Sequence, residues 1–163
     1  MADELRLKTI VLGYDGTRSA ERALERAAAI AKAFGAKIVV TDVAAPQPVQ
    51  AAPGAFGLVP YYEYTSDIGL RADAVRWREH RDRIDSLLDG RGIEHEFAGV
   101  VGQPAAEIVD VAESRDADLI VVGTRQAGFL ERLFGGSVSQ GVARRAHCDV
   151  LVVHPAGEDD PDG

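Results

Sequence analysis

Cysteine is nearly absent from this sequence. Of its 163 residues only Cys148 carries a thiol, so no disulfide can close within the chain and a reducing compartment is expected. Long apolar runs are missing as well. No stretch approaches the ~18 to 20 consecutive apolar residues that span a bilayer, which argues against an integral membrane protein. Met1-Ala2-Asp3-Glu4-Leu5-Arg6 lacks the basic stretch, apolar block and small-residue cleavage site of a secretion signal, so the expected location is cytoplasmic. Positive charge is scarce: 18 Lys and Arg stand against 26 Asp and Glu, a net of −8. A mildly acidic body offers no clustered basic face for nucleic acid. Histidine is sparse too, and His80, His95, His147 and His154 show no metal-ligand spacing. No Gly-x-Ser-x-Gly elbow is present, no acidic neighbour precedes Asp15 to make it a phosphoacceptor, and no general base is identifiable. Neither catalytic residues nor a metal site are therefore expected.

What remains is the composition of an ordinary soluble globular chain, 46% apolar and 27% charged. A chain of this size hides roughly two-thirds of its extended surface around one core. Residues 1–156 are expected to form a single domain. Residues 157–163 hold Glu158, Asp159, Asp160 and Asp162 and no large apolar group, and are expected to remain a solvated, disordered tail.

Apolar runs and helical periodicities alternate along the chain. Thr9-Ile10-Val11-Leu12 reads as a buried strand ended by Gly13-Tyr14-Asp15-Gly16. Ala20, Ala23, Leu24, Ala27, Ile30, Ala31 and Phe34 then recur every three or four residues, with Thr17 or Ser19 as N-cap and Gly35 just past the end. A second strand, Lys37 to Val43, closes at Ala44-Ala45-Pro46. Residues 46–68, rich in proline and carrying Tyr61-Tyr62-Glu63-Tyr64, form a long connection; connections of that length commonly serve as lids or interaction segments, or are mobile. A second helix is expected from Leu70 to Gly90 on Leu70, Ala74, Trp77, Ile84, Leu87 and Leu88, with Trp77 in the core and the Arg81 stem along the surface. A strand near His95 to Val101 leads through Gly102-Gln103-Pro104 into a helix marked by Ile108, Val109, Val111 and Ala112. Two further strands, Asp118 to Val122 and Asp149 to Val153, flank a helix from about Ser137 to Ala146.

Strands that are continuously Val/Ile/Leu and alternate with helices suit a parallel sheet covered on both faces. The expected fold is α/β: a doubly wound, Rossmann-like, five-stranded parallel sheet of order 3-2-1-4-5. In such folds ligands bind beyond the carboxyl ends of the strands, where the winding switches. That place would lie between the first and fourth strands, where the Gly13 to Gly16 and Gly123 to Gly136 loops meet.

The segment from Gly123 to Ser137 follows a buried strand and opens a helix. Its glycines let backbone amides approach an anion, the helix start presents unpaired N–H groups, and Arg125 adds positive charge. Gly135-Gly136-Ser137 also reads simply as a turn and N-cap. It is not a Walker A loop, for the Gly-Lys-Ser/Thr is missing.

These residues resemble the universal stress protein family over about Lys8 to Pro155. The family's nucleotide signature is Gly, two residues, Gly, nine residues, then Gly and Ser or Thr; here Gly123, Gln126, Gly136 and Ser137 stand at those places. Asp15-Gly16, Gly102-x-Pro104, Gly123-Thr124-Arg125 and Cys148 to Val153 agree as well. The resemblance implies ATP with Mg²⁺ as ligand, Asp15 near the nucleoside, the Val43 backbone at adenine, and phosphate contacts at Gly123, Gly136, Ser137 and Val138. Gly13, Tyr14, Val122, Thr124, Arg125 and Gln126 complete the candidate set. It further implies a homodimer through Val150–Val153 and a stress-response role with little or no catalysis. Gln126 departs from the second glycine. A positive φ there would cost on the order of 1 kcal/mol, about fivefold to tenfold in affinity, and this leaves a nucleotide-free interaction module of the same fold as the alternative.

Overall fold

A computed structural model describes residues 7–45, 67–124 and 138–154. Nearly all of the 46–68 connection, the loop residues Arg125, Gln126, Gly136 and Ser137, and the acidic 157–163 tail lie outside the described residues. The strands are β1 (Thr9–Gly13), β2 (Lys37–Ala44), β3 (His95–Val101), β4 (Leu119–Gly123) and β5 (Asp149–Val153). The helices are α1 (Arg18–Phe34), α2 (Asp67–Asp89), α3 (Pro104–Ser114) and α4 (Val138–Arg145). All strand pairs are parallel and the order is β3-β2-β1-β4-β5, which is the doubly wound topology expected from the alternation.

Side chains alternate across each strand, and both faces are covered. Ile10, Leu12, Ile38, Val40 and Val121 pack with α1 and α2 residues, whereas Val11, Val39, Ile120 and Val122 pack with α3 and α4. This two-sided burial is why the strands show no apolar/polar alternation in sequence.

α1 begins at Thr17, whose side-chain oxygen accepts from the Ala20 amide, and ends at Gly35 in the left-handed region at φ 68°. A stripe of Ala20, Ala23, Ala27, Ala28 and Ala31, all buried, allows the helix to lie close on the sheet. Phe34, expected in that stripe, is instead 52% exposed. It is the final helical residue before Gly35 turns the chain toward β2, so no following turn shelters it.

α2 starts at Asp67, three residues before Leu70, and takes in the last two residues of the expected connection. Ile84 and Leu88 are fully buried, but Ala74, expected in the same stripe, faces solvent. Trp77 is half-buried; its ring lies on β3, where a Cβ on Gly99 would come within 2.6 Å of the indole. The Arg81 guanidinium stacks 5.1 Å above the Phe97 ring. His95 joins β3 to the end of α2: its Nδ1 is 3.0 Å from the Ile93 carbonyl and its Nε2 is 2.9 Å from Asp85. Burial lowers the pKa of this imidazole, but acceptors at both nitrogens, with the charges of Asp85 and Asp89, raise it above the ordinary value.

Candidate functional site

β1 pairs with β2 on one side and β4 on the other, so the winding switches between β1 and β4, whose carboxyl ends lie side by side at one end of the sheet. Two strand-end glycines shape this place, neither with a positive φ. A Cβ on Gly13 would lie 2.8 Å from Ile108 Cδ1, so its hydrogen lets α3 settle against β1. A Cβ on Gly123 would lie 2.6 Å from the Ser19 carbonyl carbon and oxygen. The first turn of α1 therefore rests directly on the end of β4.

The β1–α1 turn is built from side-chain hydrogen bonds. Asp15 Oδ1 accepts from the Thr17 amide at 3.0 Å and from the Thr17 hydroxyl at 2.6 Å, bracing the residue that caps α1. Gly16 sits at φ 74°, a conformation natural to glycine and costly for other residues. Asp15 itself is exposed.

Tyr14 turns inward. It continues the Ile10, Leu12 parity, is 3% exposed, and donates its hydroxyl hydrogen bond to Glu21. Burial raises the Tyr14 pKa, and the hydrogen bond to Glu21 with that group's negative charge raises it further. Burial also pushes Glu21 upward, but hydrogen bonds from Arg83 and Tyr14, with the charges of Arg83 and His80, hold it below the ordinary value. Arg83 grips both Glu21 oxygens through Nε and Nη2. The Tyr14 side chain is thus a clamp between β1, α1 and α2.

Val43 has its backbone in a telling position. Thr41 offers its carbonyl to the Tyr14 amide on the β1 side, and Ala44 offers its carbonyl to the Gly102 amide on the β3 side. Successive backbone units of a strand alternate sides, so the Val43 N–H and C=O face the β1 side, beyond the last β1–β2 pair, Gly13↔Thr41. They lie past the end of the β1–β2 register, where β1 offers them no ladder partner. Val122 is buried among α3 and α4 residues, and the Thr124 amide extends the β4–β5 ladder to Val153. Val138, at the start of α4, is exposed.

The structure brings together a cluster that sequence reasoning missed. Asp42 is 1% exposed on the α2 face of β2. His80 Nδ1 lies 2.6 Å from its Oδ2 and Arg76 Nη2 lies 3.2 Å from its Oδ1. A signal was present: a carboxylate sharing the parity of Ile38 and Val40 needs a partner, and Arg76 and His80 stand four apart on one helix.

No group of three His, Cys, Asp or Glu suited to a metal is found among the described residues. Burial first, then the charges of Asp149 and Asp118, raise the Cys148 pKa, so this half-buried thiol is a poor nucleophile. Across the described residues, no helix is long and apolar enough to cross a membrane.

A parallel sheet wound in both directions from neighbouring strands β1 and β4 defines a doubly wound α/β protein. Residues 6–154 match the model of the universal stress protein family, and the chain belongs to that family. A universal stress protein of Thermus aquaticus is 39% identical over 148 residues, covering 90% of this chain and 98% of that protein. Among solved structures, a universal stress protein in complex with cAMP is 33% identical with a TM-score of 0.65, covering 93% of this chain and 99% of the other. The universal stress protein from Archaeoglobus fulgidus in complex with dAMP is 25% identical with a TM-score of 0.61, covering 91% and 99%.

Proposed function

We propose that this chain binds an adenine nucleotide, ATP with Mg²⁺ in the first place, in the β1/β4 crevice, and acts as a cytoplasmic stress-response regulator with little or no turnover. The observation that carries this is the Val43 backbone: a donor and an acceptor side by side, facing the space past the end of β1. Such a pair complements an adenine edge, whose ring nitrogen accepts and whose amino group donates. The related proteins in complex with cAMP and dAMP support the same ligand class. Asp15 would lie near the nucleoside. Gly123, Thr124, Arg125, Gln126, Gly136, Ser137 and Val138 would surround the phosphates. Mg²⁺ would neutralise phosphate charge that this acidic chain only partly matches.

Thermal melting with ATP and Mg²⁺ tests the reading. Ligand at a hundredfold excess over Kd stabilises by about 2.7 kcal/mol, an increase in midpoint on the order of 5 to 10 °C for a chain of this length. Gly136→Val is expected to abolish the shift while leaving the ligand-free midpoint near that of the parent. Calorimetry with ATP, AMP and cAMP ranks the ligands. Midpoints unmoved by all three would favour the nucleotide-free interaction module.

A homodimer through Val150–Val153 belongs to the same proposal. β5 is a sheet edge whose Val150, Leu151 and Val152 remain half-buried, and apolar edges tend to be paired or covered. Light scattering at micromolar concentration is expected to give twice the chain mass; a monomer there would count against it.

A further inference from the structure

The Asp42–His80 pair does more than neutralise a buried charge. A carboxylate can only accept, so the proton in the 2.6 Å contact with Asp42 Oδ2 sits on His80 Nδ1. That bond fixes the plane and direction of the imidazole, and Tyr14 meets the ring edge-on at 5.1 Å and 87°. The opposite end of the ring is thereby aimed at the turn after β1. A Cβ on Gly16 would lie 2.7 Å from His80 Nε2 and 3.1 Å from its Cε1. The imidazole therefore fills the space directly against the left-handed residue that follows Asp15.

The geometry points to His80 as a positioning residue for the nucleotide crevice: it sets the Asp15–Gly16 turn, and Asp42 anchors it. The identity of the ligand rests on the nucleotide reading above; the support of the turn does not. Asp15 is bound to Thr17 on its helix side, and the His80 ring lies directly against the Gly16 that follows it. Without the ring, Asp15 and Gly16 would sample more conformations and a ligand would have to order them, which weakens binding without removing any ligand contact. The arrangement also ties α2 to the crevice, because Arg76 and His80 reach Asp42 from the same helix face.

The test uses the full chain and two readouts, amide hydrogen exchange at Gly16 and Thr17 and ATP affinity by calorimetry. His80→Ala is expected to speed exchange at these amides about tenfold while β4 amides keep their protection. The same variant should weaken ATP binding about fivefold to tenfold. His80→Asn and His80→Gln separate the two ends of the ring. Asn retains a donor for Asp42 but does not reach the turn, so it should keep the melting midpoint and still loosen Gly16. Gln reaches toward the turn and should recover part of the affinity. Gly16→Ala adds a cycle, since removing the His80 ring should relieve the part of its cost that comes from the 2.7 Å contact and leave the part due to φ 74°.

Unchanged exchange at Gly16 and Thr17 in the Ala and Asn variants would overturn the proposal, as would wild-type affinity in His80→Asn. If His80→Ala does not fold, the Asn and Gln variants decide. If the parent protein binds none of ATP, AMP and cAMP, the nucleotide reading falls, and exchange at the turn alone upholds or refutes the positioning role.

Discussion

Gly123→Val is expected to destabilise the protein by about 3 kcal/mol or more, enough to leave it largely unfolded or insoluble at 37 °C. The new side chain would begin 2.6 Å from the carbonyl carbon and oxygen of Ser19. Those are backbone atoms in the first turn of a 17-residue helix, so relief requires α1 to move as a body and lose the alanine contacts along its length. Gly123→Ala meets the same atoms with fewer of its own and is expected to be milder, though still destabilising. Urea melts of both variants check the order. A melting midpoint for Gly123→Val within a degree or two of the parent would show that α1 does not rest on β4 as described. The glycine required by the packing of α1 is also one implied to touch phosphate. Loss of nucleotide binding in a Gly123 variant is therefore informative only where the fold survives, which is why Gly136 is the better position for probing the ligand.

Ile84→Ala is expected to cost about 3 kcal/mol, lowering the melting midpoint on the order of 6 to 12 °C. Among the described side chains of α2, Ile84 and Leu88 are the fully buried apolar ones. Beside them Trp77 lies on β3 and Arg81 on Phe97, and charged contacts run from Arg76 and His80 to Asp42, from Arg83 to Glu21, and from Arg91, just beyond the helix, to Glu25. The exposed pairs among these contribute little, so they do little to offset a cavity left at Ile84. A drop below about 1 kcal/mol would mean that α2 docks chiefly through the Asp42 cluster. Denaturant titration gives the answer directly.

The sheet was legible in the sequence because every strand but β3, whose sequence is His-Glu-Phe-Ala-Gly-Val-Val, carries a short Val/Ile/Leu run, and every helix has at least one marked end. The alternation together with the rules for parallel crossovers leaves a few doubly wound topologies, of which the expected 3-2-1-4-5 is the one found. Phe34 and Ala74 were misjudged for a common reason. Periodicity gives the angular position of a residue on its helix but not how far the supporting surface extends, and both lie where it runs out. The inward Tyr14 side chain was legible from its parity with Ile10 and Leu12. The Asp42, Arg76 and His80 cluster was the least legible part. Its members are 34 and 38 positions apart in the chain, and only the crossover that lays α2 over β2 makes them neighbours. Of the implied contact residues, the structure sets Gly13, Asp15, Val43 and Gly123 at the same end of the sheet, with Arg125, Gln126, Gly136 and Ser137 outside the described residues.

The two margins of the sheet are unlike. Along β3, Glu96 is paired with Arg115, the Phe97 ring is capped by Arg81, and His95 is held by Asp85; charge of this kind discourages a neighbouring strand. Along β5, beyond the exposed Asp149 at its start, the side chains are valine and leucine. The homodimer proposed through β5 would leave the guarded β3 margin outermost on both copies. Such a pairing of like with like about a two-fold axis would be saturated after a single encounter, so crowding the protein together is expected to yield pairs and no fibres.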